Sequence, residues 1–529
     1  MRKSTWAKIL QFAIDQASEK ITTRNATFER LRAFNKIRMK KKREEAKARA
    51  VEAKEAEAEA EAEKEERLKM EKLSVMEMQM ITLGESPERK SLEDYATEYC
   101  LLARKGIFKT NTTVAKLLSW KNDVIKMPLL KSLSSGEMSA MSIQCFRNAT
   151  GFMGDRSSGK GDEGHAEKLL KNCLSGPEDL RDEVYLQIIK QSTNNTNPQS
   201  LLKAWQLFGV VTGGVAPSRS LEPYLASHFN TAKDTHPPST SGVPGIHEYA
   251  EYSLGRLMKI TQFGVRAEIP TSLEIEASKY MLPFLVRVYF VDGTYEMMPV
   301  QSWMTPSDLA GQVLELLGVA EENRQAFKVY ELTPENEERC LDDDERIADL
   351  VAYWQRLYDE QKSRDARDAD AQTFRIALKV HVYIDPAPLK SGEPDRAAEK
   401  LMYTQAVYDV VSARYPCSED DQLSLGALQR QAEKPNTNCT AAELHRYING
   451  KLIGGTRSAE LTAELNKRMA AHKSKPPSEV RVMYMDHVRK WKVYGSSFFW
   501  CRTQMSATLP EEVFLAVNPV SLSCTRAAM

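Results

Sequence analysis

Hydrophobic residues recur with a helical period from Ser91 to about Tyr280. In "TVAKLLSWKNDVIKMPLLKSL", "AEKLLKNCL" and "SLLKAWQLFGVV", apolar residues stand at i, i+3 and i+4, which places them on one face of an amphipathic helix. Loops rich in Gly, Pro, Asn and Ser separate these segments, and the longest, "DTHPPSTSGVPG", is interpreted as a surface insertion. The pattern predicts a bundle of helices.

The period changes at Leu282. The stretch "LPFLVRVYFVDGTYEMMPV" contains two β-rich runs joined at Asp292-Gly293, a dipeptide typical of a tight hairpin. A helical pattern follows in "PSDLAGQVLELLG", a strand in "AFKVYEL" and another helical pattern in "LDDDERIADLVAYWQR". This order predicts a small α+β unit that ends near residue 358.

A charged connector and "FRIALKVHVYI" precede a second helical region, from Ala397 to Arg489. The runs "GSSFFWCRTQ" and "EEVFLAVNPVSL" are typical of the first strands of a further β unit, which is expected to be incomplete at the end of this chain. The predicted fold is therefore mainly α and multidomain. Its expected segments are 1–86, 87–281, 282–358, 359–498 and 499–529.

The segment 1–86 carries segregated charge. Residues 36–49 hold eight basic and two acidic residues, residues 50–66 hold eight acidic and two basic ones, and Gly and Pro are absent until Gly84. Because Ala, Glu, Lys and Arg favour helix, a charged helical spacer is predicted. The acidic half lacks apolar heptad positions, so it encodes no coiled-coil seam. The alternative is antiparallel self-association through residues 36–66, which is expected to be weak because exposed ion pairs contribute little.

The stretch "GDRSSGKG", residues 154–161, has the G-x-x-x-x-G-K spacing of a phosphate-binding loop. Gly161 follows Lys160 where such loops place the hydroxyl that binds Mg²⁺. The preceding residues do not alternate as a strand should, and the acidic start of "DEGHAEKLL" would repel phosphate. We interpret the stretch as a polar loop between two helices, not as a nucleotide site.

Composition narrows the function classes. Lys plus Arg and Asp plus Glu both number 73, so the global charge gives no indication of nucleic acid or membrane binding. The eight cysteines are scattered with no C-x-x-C pair, and the eight histidines do not cluster with them, so zinc is not expected. No apolar run is long enough to span a bilayer. We expect no cofactor, no metal and no transmembrane segment, and a cytoplasmic location with reduced thiols.

The segment "PEDLRDEVYLQIIKQ" predicts a helix with charges in unusual places. Pro177 suits the first helical position, and Glu178 and Asp179 suit the first turn. Projected at 100° per residue, Arg181 and Asp182 fall inside the apolar arc, where charges are costly unless they are paired or hydrogen-bonded. The residues that lie opposite this arc are Glu183, Gln187, Lys190 and Gln191. Arg181 and Asp182 are either a catalytic acid with its modulator or internal struts; struts are favoured because no His or Ser nucleophile lies nearby.

This segment, with "NPQSLLKAWQLFGVVTGGVAPS" and "GVRAEIPTSLEIEA" after it, resembles the myosin tail homology 4 domain, a helical bundle with the signature L-R-D-E-x-Y-x-Q-x-x-K-Q and a G-W-x-L block. Ala204 replaces the usual Gly before Trp205, and Gln206 replaces the usual Glu. The residues that match the family's signature are Arg181, Asp182, Glu183, Tyr185, Gln187, Lys190, Gln191 and Trp205. The resemblance implies a structural role for them.

The following segments resemble a FERM module: a ubiquitin-like first lobe in "VRVYFVDGTYEMMPV", an acyl-CoA-binding-protein-like helical second lobe around "LMYTQAVYDVV", and the start of a third lobe in "LPEEVFLAVN". Such tandems occur in unconventional myosin tails and some kinesins. The resemblance implies a non-catalytic cytoskeletal adaptor or motor tail that binds microtubules, acidic adaptor peptides or membrane-protein tails, with no nucleic acid. The alternatives are a membrane-cortex linker of the FERM type and an enzyme on a helical scaffold, for which none of the histidines offers a catalytic constellation.

Seven basic residues lie between residues 104 and 131 against a single acid, Asp123. They are Arg104, Lys105, Lys109, Lys116, Lys121, Lys126 and Lys131. A solvated helix face is the simpler interpretation, because most charge runs are of that kind. The resemblance favours the other interpretation, a basic surface for an acidic protein partner such as a tubulin tail.

Overall fold

The computed structural model describes residues 90–102, 113–240, 243–334, 337–364, 374–381, 383, 386–453, 457–502, 512–518 and 522–526. The predicted charged helix in 1–86 and the basic residues Arg104, Lys105 and Lys109 lie outside the described residues. The chain divides into two compact units. The first contains the described residues up to Leu285 with Pro299–Met304 and Glu345–Phe374, and the second contains Val286–Met298, Thr305–Asp344 and the described residues from Arg375 onward.

The first unit is a helical bundle, as predicted, but the helix predicted in "TVAKLLSWKNDVIKMPLLKSL" is wrong over most of its length. Only Val114–Leu117 is α-helical there, because Asn122, Asp123 and Pro128 interrupt the helical pattern. The helices of the unit are α1 (Leu92–Tyr99), α2 (Val114–Leu117), α3 (Gly136–Met153), α4 (Asp162–Ser175), α5 (Glu178–Ser192), α6 (Pro198–Val211), α7 (Glu222–Thr235), α8 (Ile246–Phe263) and α9 (Ser272–Lys279), with a 3₁₀ turn at Lys131–Leu133. Helix α12 (Ile347–Arg364) also belongs to this unit.

Local sequence signals explain where these helices begin and end. The Ser91 hydroxyl accepts a hydrogen bond from the Glu93 amide at the start of α1, and the Asn197 side chain caps α6, where Pro198 occupies the first turn. Helix α3 ends at Gly154, whose φ of 83° is the left-handed conformation that glycine adopts at low cost. The inward faces meet in one apolar core that includes Phe152.

Arg256 forms a buried polar contact on the inner face of α8. Arg256 is 5% exposed, and its guanidinium donates to the Tyr252 hydroxyl and to the hydroxyls of Ser278 and Ser302. Gly213 lets the guanidinium approach, because a Cβ at that position would lie 1.8 Å from Arg256 Nη2. Any larger residue at Gly213 would therefore push the guanidinium away from its acceptors.

A buried ion-pair cluster lies near Arg266, whose side chain is fully buried. Its Nη1 lies 2.6 Å from Glu274 Oε1 at the start of α9, and its Nε pairs with the Asp349 carboxylate in α12. The cluster joins α9 and α12 within the first unit. Removing one partner of such a buried pair typically costs about 3–5 kcal/mol.

Most of the predicted α+β unit lies in the second unit. Strands β1 (Phe284–Tyr289), β2 (Tyr295–Val300), β3 (Phe327–Leu332), β4 (Glu338–Cys340) and β5 (Arg375–Val380) form a sheet in the order β2-β1-β5-β3-β4, and helices α10 (Pro306–Leu317) and α11 (Glu321–Arg324) lie between β2 and β3. The predicted hairpin is present, with Gly293 at a φ of 82°. Strand β5 pairs parallel with β1 and antiparallel with β3, so the sheet extends past the end predicted near residue 358.

A helical lobe follows the sheet. It consists of α13 (Arg396–Val411), α14 (Glu419–Glu433), α15 (Ser458–Ala470) and α16 (Pro477–Val488), with short 3₁₀ turns at Leu444–Arg446 and Gly450–Leu452. Ser418 and Asp421 form a capping box at the start of α14, and Leu423, Leu465 and Met469 contribute to the core. Strands β6 (Ser497–Arg502), β7 (Glu512–Val517) and β8 (Leu522–Arg526) form an antiparallel sheet, as the final apolar runs predicted. The fold is mainly α and multidomain, as predicted.

Candidate partner-binding surface

Helix α5 carries the signature segment and is buried on nearly all sides. Helices α3, α4 and α6 pack against it. The polar residues that the helical projection placed opposite the apolar arc are buried as well: Glu183, Gln187, Lys190 and Gln191 are each 5% exposed or less. A projection separates the two sides of a helix but does not show that both sides are covered. These side chains therefore need internal partners, which the backbone of neighbouring segments supplies.

Glu183 binds the backbone just before the 3₁₀ turn at Lys131–Leu133. Its carboxylate accepts hydrogen bonds from the backbone amides of Leu129 and Leu130, both at 2.8 Å, and from the hydroxyl of Ser142 at 2.8 Å. The Gln187 side chain donates to the same carboxylate and to the Ser142 carbonyl. These four donor groups compensate for the burial of a charge that has no cationic partner at hydrogen-bond distance among the described residues.

Lys190 and Gln191 bind the backbone about ten residues before the segment that Glu183 binds. The Lys190 ammonium donates to the carbonyls of Leu117 and Ser119 at 2.7 and 2.6 Å. The Gln191 side chain binds both backbone groups of Lys121, accepting from its amide and donating to its carbonyl, each at 3.2 Å. One turn of α5 therefore fixes the backbone of residues 117–121.

Trp120 adds two further contacts to the same place. Its amide donates to the Thr193 carbonyl at 2.8 Å, and its indole N–H donates to the Asp155 carboxylate at 3.2 Å. The side-chain nitrogen of Gln191, Nε2, donates to the same carboxylate oxygen at 3.4 Å. Asp155 belongs to the glycine-rich stretch that resembles a phosphate-binding loop, so in this structure part of that stretch helps to hold the Trp120 segment in position.

The other signature residues hold the chain that follows α6. Asp182 is 3% exposed, as expected, and accepts from the amide and hydroxyl of Ser218 and from the Tyr95 hydroxyl. The Tyr185 hydroxyl donates to the Val215 carbonyl. Arg181 is only half-buried; its Nε donates to the Ala216 carbonyl, and its Nη2 lies 3.6 Å from Glu178. Both members of the Arg181–Asp182 pair thus contact backbone groups.

Trp205 is part of the aromatic core. It is 3% exposed and its ring stacks on the His228 imidazole, with centroids 5.5 Å apart and planes 8° from parallel. Phe208 and Phe229 flank the stack. Burial lowers the pKa of His228 to about 4, so the imidazole in this stack is neutral at physiological pH.

The contacts of α5 leave residues 121–127 exposed between two fixed ends. We call residues 121–127 the anchored loop. Lys121 and Lys126 project from it, and Val124 and Met127 are 39% and 57% exposed although both are apolar. Pro128, Leu129 and Leu130, which follow directly, are buried. The loop thus presents cationic and apolar side chains on a backbone that buried groups fix on either side.

The seven predicted basic residues have different surroundings. Arg104, Lys105 and Lys109 lie outside the described residues. Lys131 is exposed, but its ammonium donates to the Glu98 and Thr97 carbonyls at the end of α1, a favourable place for a cation. Lys121 lies 3.1 Å from the exposed Asp123, a contact that is worth at most about 1 kcal/mol. Lys116 and Lys126 are exposed on α2 and the anchored loop.

Burial shifts the pKa values of three charged groups on α5. It raises the pKa of Asp182 and of Glu183 above their ordinary values, while hydrogen bonds from their donors act in the opposite direction. Burial, with a smaller contribution from the nearby Lys121 charge, lowers the pKa of Lys190 to about 8. At neutral pH Lys190 is still mostly protonated, so its charge adds to the positive field around the loop.

Sequence reasoning missed several residues of this arrangement. Ser142 donates to Glu183, Asp155 accepts from Trp120, and Val124 and Met127 form the apolar part of the loop. The run "KNDVIKM" carried a signal for the last two, since polar residues and Asn-Asp interrupt its helical period. Ser142 and Asp155 had no such signal, because their role depends on which segments meet at α5.

The stretch 154–161 connects α3 to α4, so a helix and not a strand precedes it, as expected. Asp162, at the start of α4, pairs with Lys279 at 2.7 Å and with Lys203 at 3.3 Å. No helix among the described residues has the length and apolar character needed to cross a membrane. Within the same described ranges, no three His, Cys, Asp or Glu side chains are grouped closely enough to hold a metal ion.

Three family models match successive parts of the chain. The MyTH4 domain matches residues 166–277, the RA-like domain matches residues 282–379, and the FERM central domain matches residues 393–499. The first match contains the signature helix α5 and Trp205. The third match coincides with the helical lobe of the second unit.

Curated relatives are much longer than this chain. It is 24% identical over 452 residues to myosin-VIIa of Drosophila melanogaster, covering 82% of this chain and 20% of that protein. It is 22% identical over 469 residues to the myosin-I heavy chain of Dictyostelium discoideum, covering 84% of this chain and 18% of that protein. The chain thus spans about a fifth of the length of these relatives.

Solved structures share the fold. The MyTH4-FERM MF1 domain of Dictyostelium discoideum myosin VII has a TM-score of 0.66 at 21% identity, covering 82% of this chain and 85% of that chain. The human myosin 7b C-terminal MyTH4-FERM domain, solved in complex with the harmonin-a PDZ3 domain, has a TM-score of 0.62 at 19% identity, covering 83% and 87%. This chain therefore carries a MyTH4 domain followed by a FERM central domain, and it has the MyTH4-FERM fold of the myosin VII tails.

Proposed function

We propose that this protein is a non-catalytic adaptor or motor-tail module that binds an acidic protein partner through the anchored loop. The observation that carries the proposal is the contrast between the loop's backbone and its side chains. Glu183, Lys190 and Gln191 fix the backbone on either side, while Lys121 and Lys126 stay exposed. A surface fixed in advance loses little conformational entropy on binding.

The exposed apolar residues of the loop support a protein partner. Val124 and Met127 would be covered by a partner with apolar groups among its acids, whereas the lysines supply long-range attraction. The human myosin 7b relative was solved with a PDZ domain bound, which supports protein binding as the role of this fold. Among acidic partners we favour microtubules, whose tubulin tails are acidic. The proposal places the protein in the cytoplasm, associated with the cytoskeleton.

Co-sedimentation of the full chain with microtubules tests this proposal. We expect Lys121→Glu with Lys126→Glu to weaken binding at least tenfold, because each reversal replaces attraction by repulsion. Binding of the unchanged protein should also weaken as salt rises from about 50 to about 200 mM, since the Debye length shortens.

The matched control is Lys400→Glu with Lys473→Glu, which makes the same change in net charge on exposed lysines of the second unit. This control should bind within about twofold of the unchanged protein. If the loop variant and the control weaken equally, net charge and not the loop governs binding. If neither the variant nor salt changes binding, the anchored loop is not the partner surface.

The proposal includes the absence of nucleotide hydrolysis. The stretch around Lys160 follows a helix and lacks a hydroxyl after the lysine, and Asp155 within it is engaged by Trp120. Purified protein should therefore show no ATP or GTP turnover above a buffer blank. Turnover that disappears in Lys160→Ala would overturn the assignment as a non-enzyme.

A further inference from the structure

The chain carries an acidic segment of its own whose charge is opposite to that of the anchored loop and the residues beside it. Residues 50–66, "AVEAKEAEAEAEAEKEE", hold eight acids and two bases, a net charge of −6. The anchored loop holds two bases and one acid, a net charge of +1, and the described residues 113–131 around it hold four bases and one acid, a net charge of +3. We propose that residues 50–66 bind the anchored loop within the same molecule and compete there with an outside partner. This inference rests on the proposed function only in naming that partner.

The connecting chain is long enough for this contact. Residues 67–89 separate the acidic segment from the first described residue, Lys90. At about 3.5 Å per residue they reach about 80 Å when extended. A folded unit of roughly 190 residues has a radius of gyration of about 16 Å. The segment can therefore reach any part of the surface of the first unit, at an effective concentration of about 1 mM.

The sequence disfavours the competing intramolecular pairing, in which residues 50–66 fold back on the basic residues 36–49. These two segments are contiguous, so the chain would have to reverse direction between them. The junction, "EEAKARAVEAKE" at residues 44–55, contains no Gly, Pro, Asn, Asp or Ser. Gly, Pro, Asn, Asp and Ser are the residues that form tight turns. The Ala, Glu and Lys that the junction contains favour continuous helix instead. With this pairing disfavoured, the acidic segment remains available to the anchored loop.

Composition also fits the loop's exposed groups. Between Glu55 and Glu63 the acidic segment alternates Glu with Ala, so it has methyl groups beside its carboxylates. The loop has the apolar Val124 and Met127 beside Lys121 and Lys126. Both sides of the contact thus combine charge with small apolar surface. Complementary charge gives such a contact strong salt dependence.

Zero-length carboxyl-to-amine crosslinking of the full chain tests the contact without any outside partner. An equal mixture of ¹⁴N- and ¹⁵N-labelled protein separates crosslinks within one molecule from crosslinks between two. We expect intramolecular crosslinks from Glu57, Glu59, Glu61 or Glu63 to Lys121 or Lys126, and their loss at high salt. Crosslinks only to residues 36–49, crosslinks only between molecules, or no crosslinks from this segment would each overturn the inference.

Binding of a fluorescent polyglutamate peptide to the full chain tests the competition. Changing four acids of the segment, Glu57→Gln, Glu59→Gln, Glu61→Gln and Glu63→Gln, reduces its net charge from −6 to −2. For a segment affinity of about 0.1 mM and an effective concentration of about 1 mM, we expect this variant to bind the peptide about tenfold more tightly.

The matched control neutralises four exposed acids of the second unit, Glu321→Gln, Glu322→Gln, Asp344→Asn and Glu399→Gln. It should change the affinity less than twofold. Equal gains in both variants would indicate a net-charge effect and would contradict the inference, as would no gain in either. If the crosslinks form but microtubules do not bind, the microtubule assignment fails while the internal contact stands.

Discussion

Replacing Glu183 by Gln removes the charge that holds the second end of the anchored loop and keeps the volume of the side chain. The carboxylate accepts from the amides of Leu129 and Leu130, from Ser142 and from Gln187. In the variant an NH₂ group replaces one of the two acceptor oxygens, so a donor faces donors. Each buried donor left without an acceptor costs about 1–3 kcal/mol.

Two such donors lower the free energy of unfolding by about 2–6 kcal/mol. The variant no longer buries a charge, which reduces the net loss to about 2–4 kcal/mol. A unit of this size loses about 2–4 °C of melting temperature per kcal/mol. We therefore expect Glu183→Gln to lower the melting temperature of the first unit by roughly 5–15 °C. If the loss is local, amide hydrogen exchange at Leu129 and Leu130 should accelerate about 30- to 700-fold, at about 1.4 kcal/mol per factor of ten.

Thermal denaturation and hydrogen exchange with mass spectrometry measure the two effects. Glu167→Gln is the matched control, because Glu167 is an exposed glutamate on α4, and it should change stability by less than about 0.5 kcal/mol. The reasoning is refuted if Glu183→Gln melts within about 1 °C of the unchanged protein and exchange at residues 129–130 is also unchanged.

Three further experiments test other contacts of the first unit. Asp182→Ala removes the acceptor of three donors, the Ser218 amide and the Ser218 and Tyr95 hydroxyls. At about 1–3 kcal/mol for each buried donor left without an acceptor, it should cost at least about 3 kcal/mol in denaturant unfolding. An unchanged midpoint together with lost partner binding would make Asp182 a site residue instead. The pKa of Lys190 is about 8 in the folded protein against an ordinary value of 10.5, so between these pH values the unfolded chain binds more protons and stability rises with pH. Relative to Lys190→Met, the free energy of unfolding of the unchanged protein should therefore rise by up to about 3 kcal/mol from pH 8 to 10.5. A difference in unfolding free energy between the two proteins that stays constant with pH would contradict the lowered pKa of Lys190. Gly213→Ala should destabilise the protein, because the new Cβ would displace the Arg256 guanidinium. Gly255→Ala is its control within α8: a Cβ there would meet open space, so this variant should stabilise the protein by about 0.5–1 kcal/mol. Thermal melts that shift in the same direction for both variants would contradict this.

Local signals in the sequence were sufficient for most elements. The hairpin at Asp292-Gly293 and the helices of the bundle depend on turn chemistry and apolar spacing within a few residues. The place of β5 in the sheet could not be predicted from such local signals. A charged connector precedes this strand and resembles a linker, yet β5 pairs with β1, which lies some 85 residues earlier in the chain. Pairing over that separation leaves no pattern in a single sequence.

The candidate surface was predictable only in part. The signature positions and the excess of basic residues were evident from the sequence, and so was the possibility that Asp182 is a strut. The burial of Glu183, Lys190 and Gln191 was not, because it requires knowing that segments far from α5 along the chain cover its second side. For the same reason the sequence did not distinguish Lys131, which binds the end of α1, from Lys126, which is exposed on the loop.

Hydrogen exchange of the full chain, measured with and without saturating microtubules, locates the partner's contact in the sequence. If a partner covers the anchored loop, peptides that contain residues 121–127 should exchange more slowly when microtubules are bound, with little change in the helical lobe at residues 396–488. Microtubule binding that slows exchange elsewhere and leaves residues 121–127 unchanged would contradict the anchored loop as the partner surface.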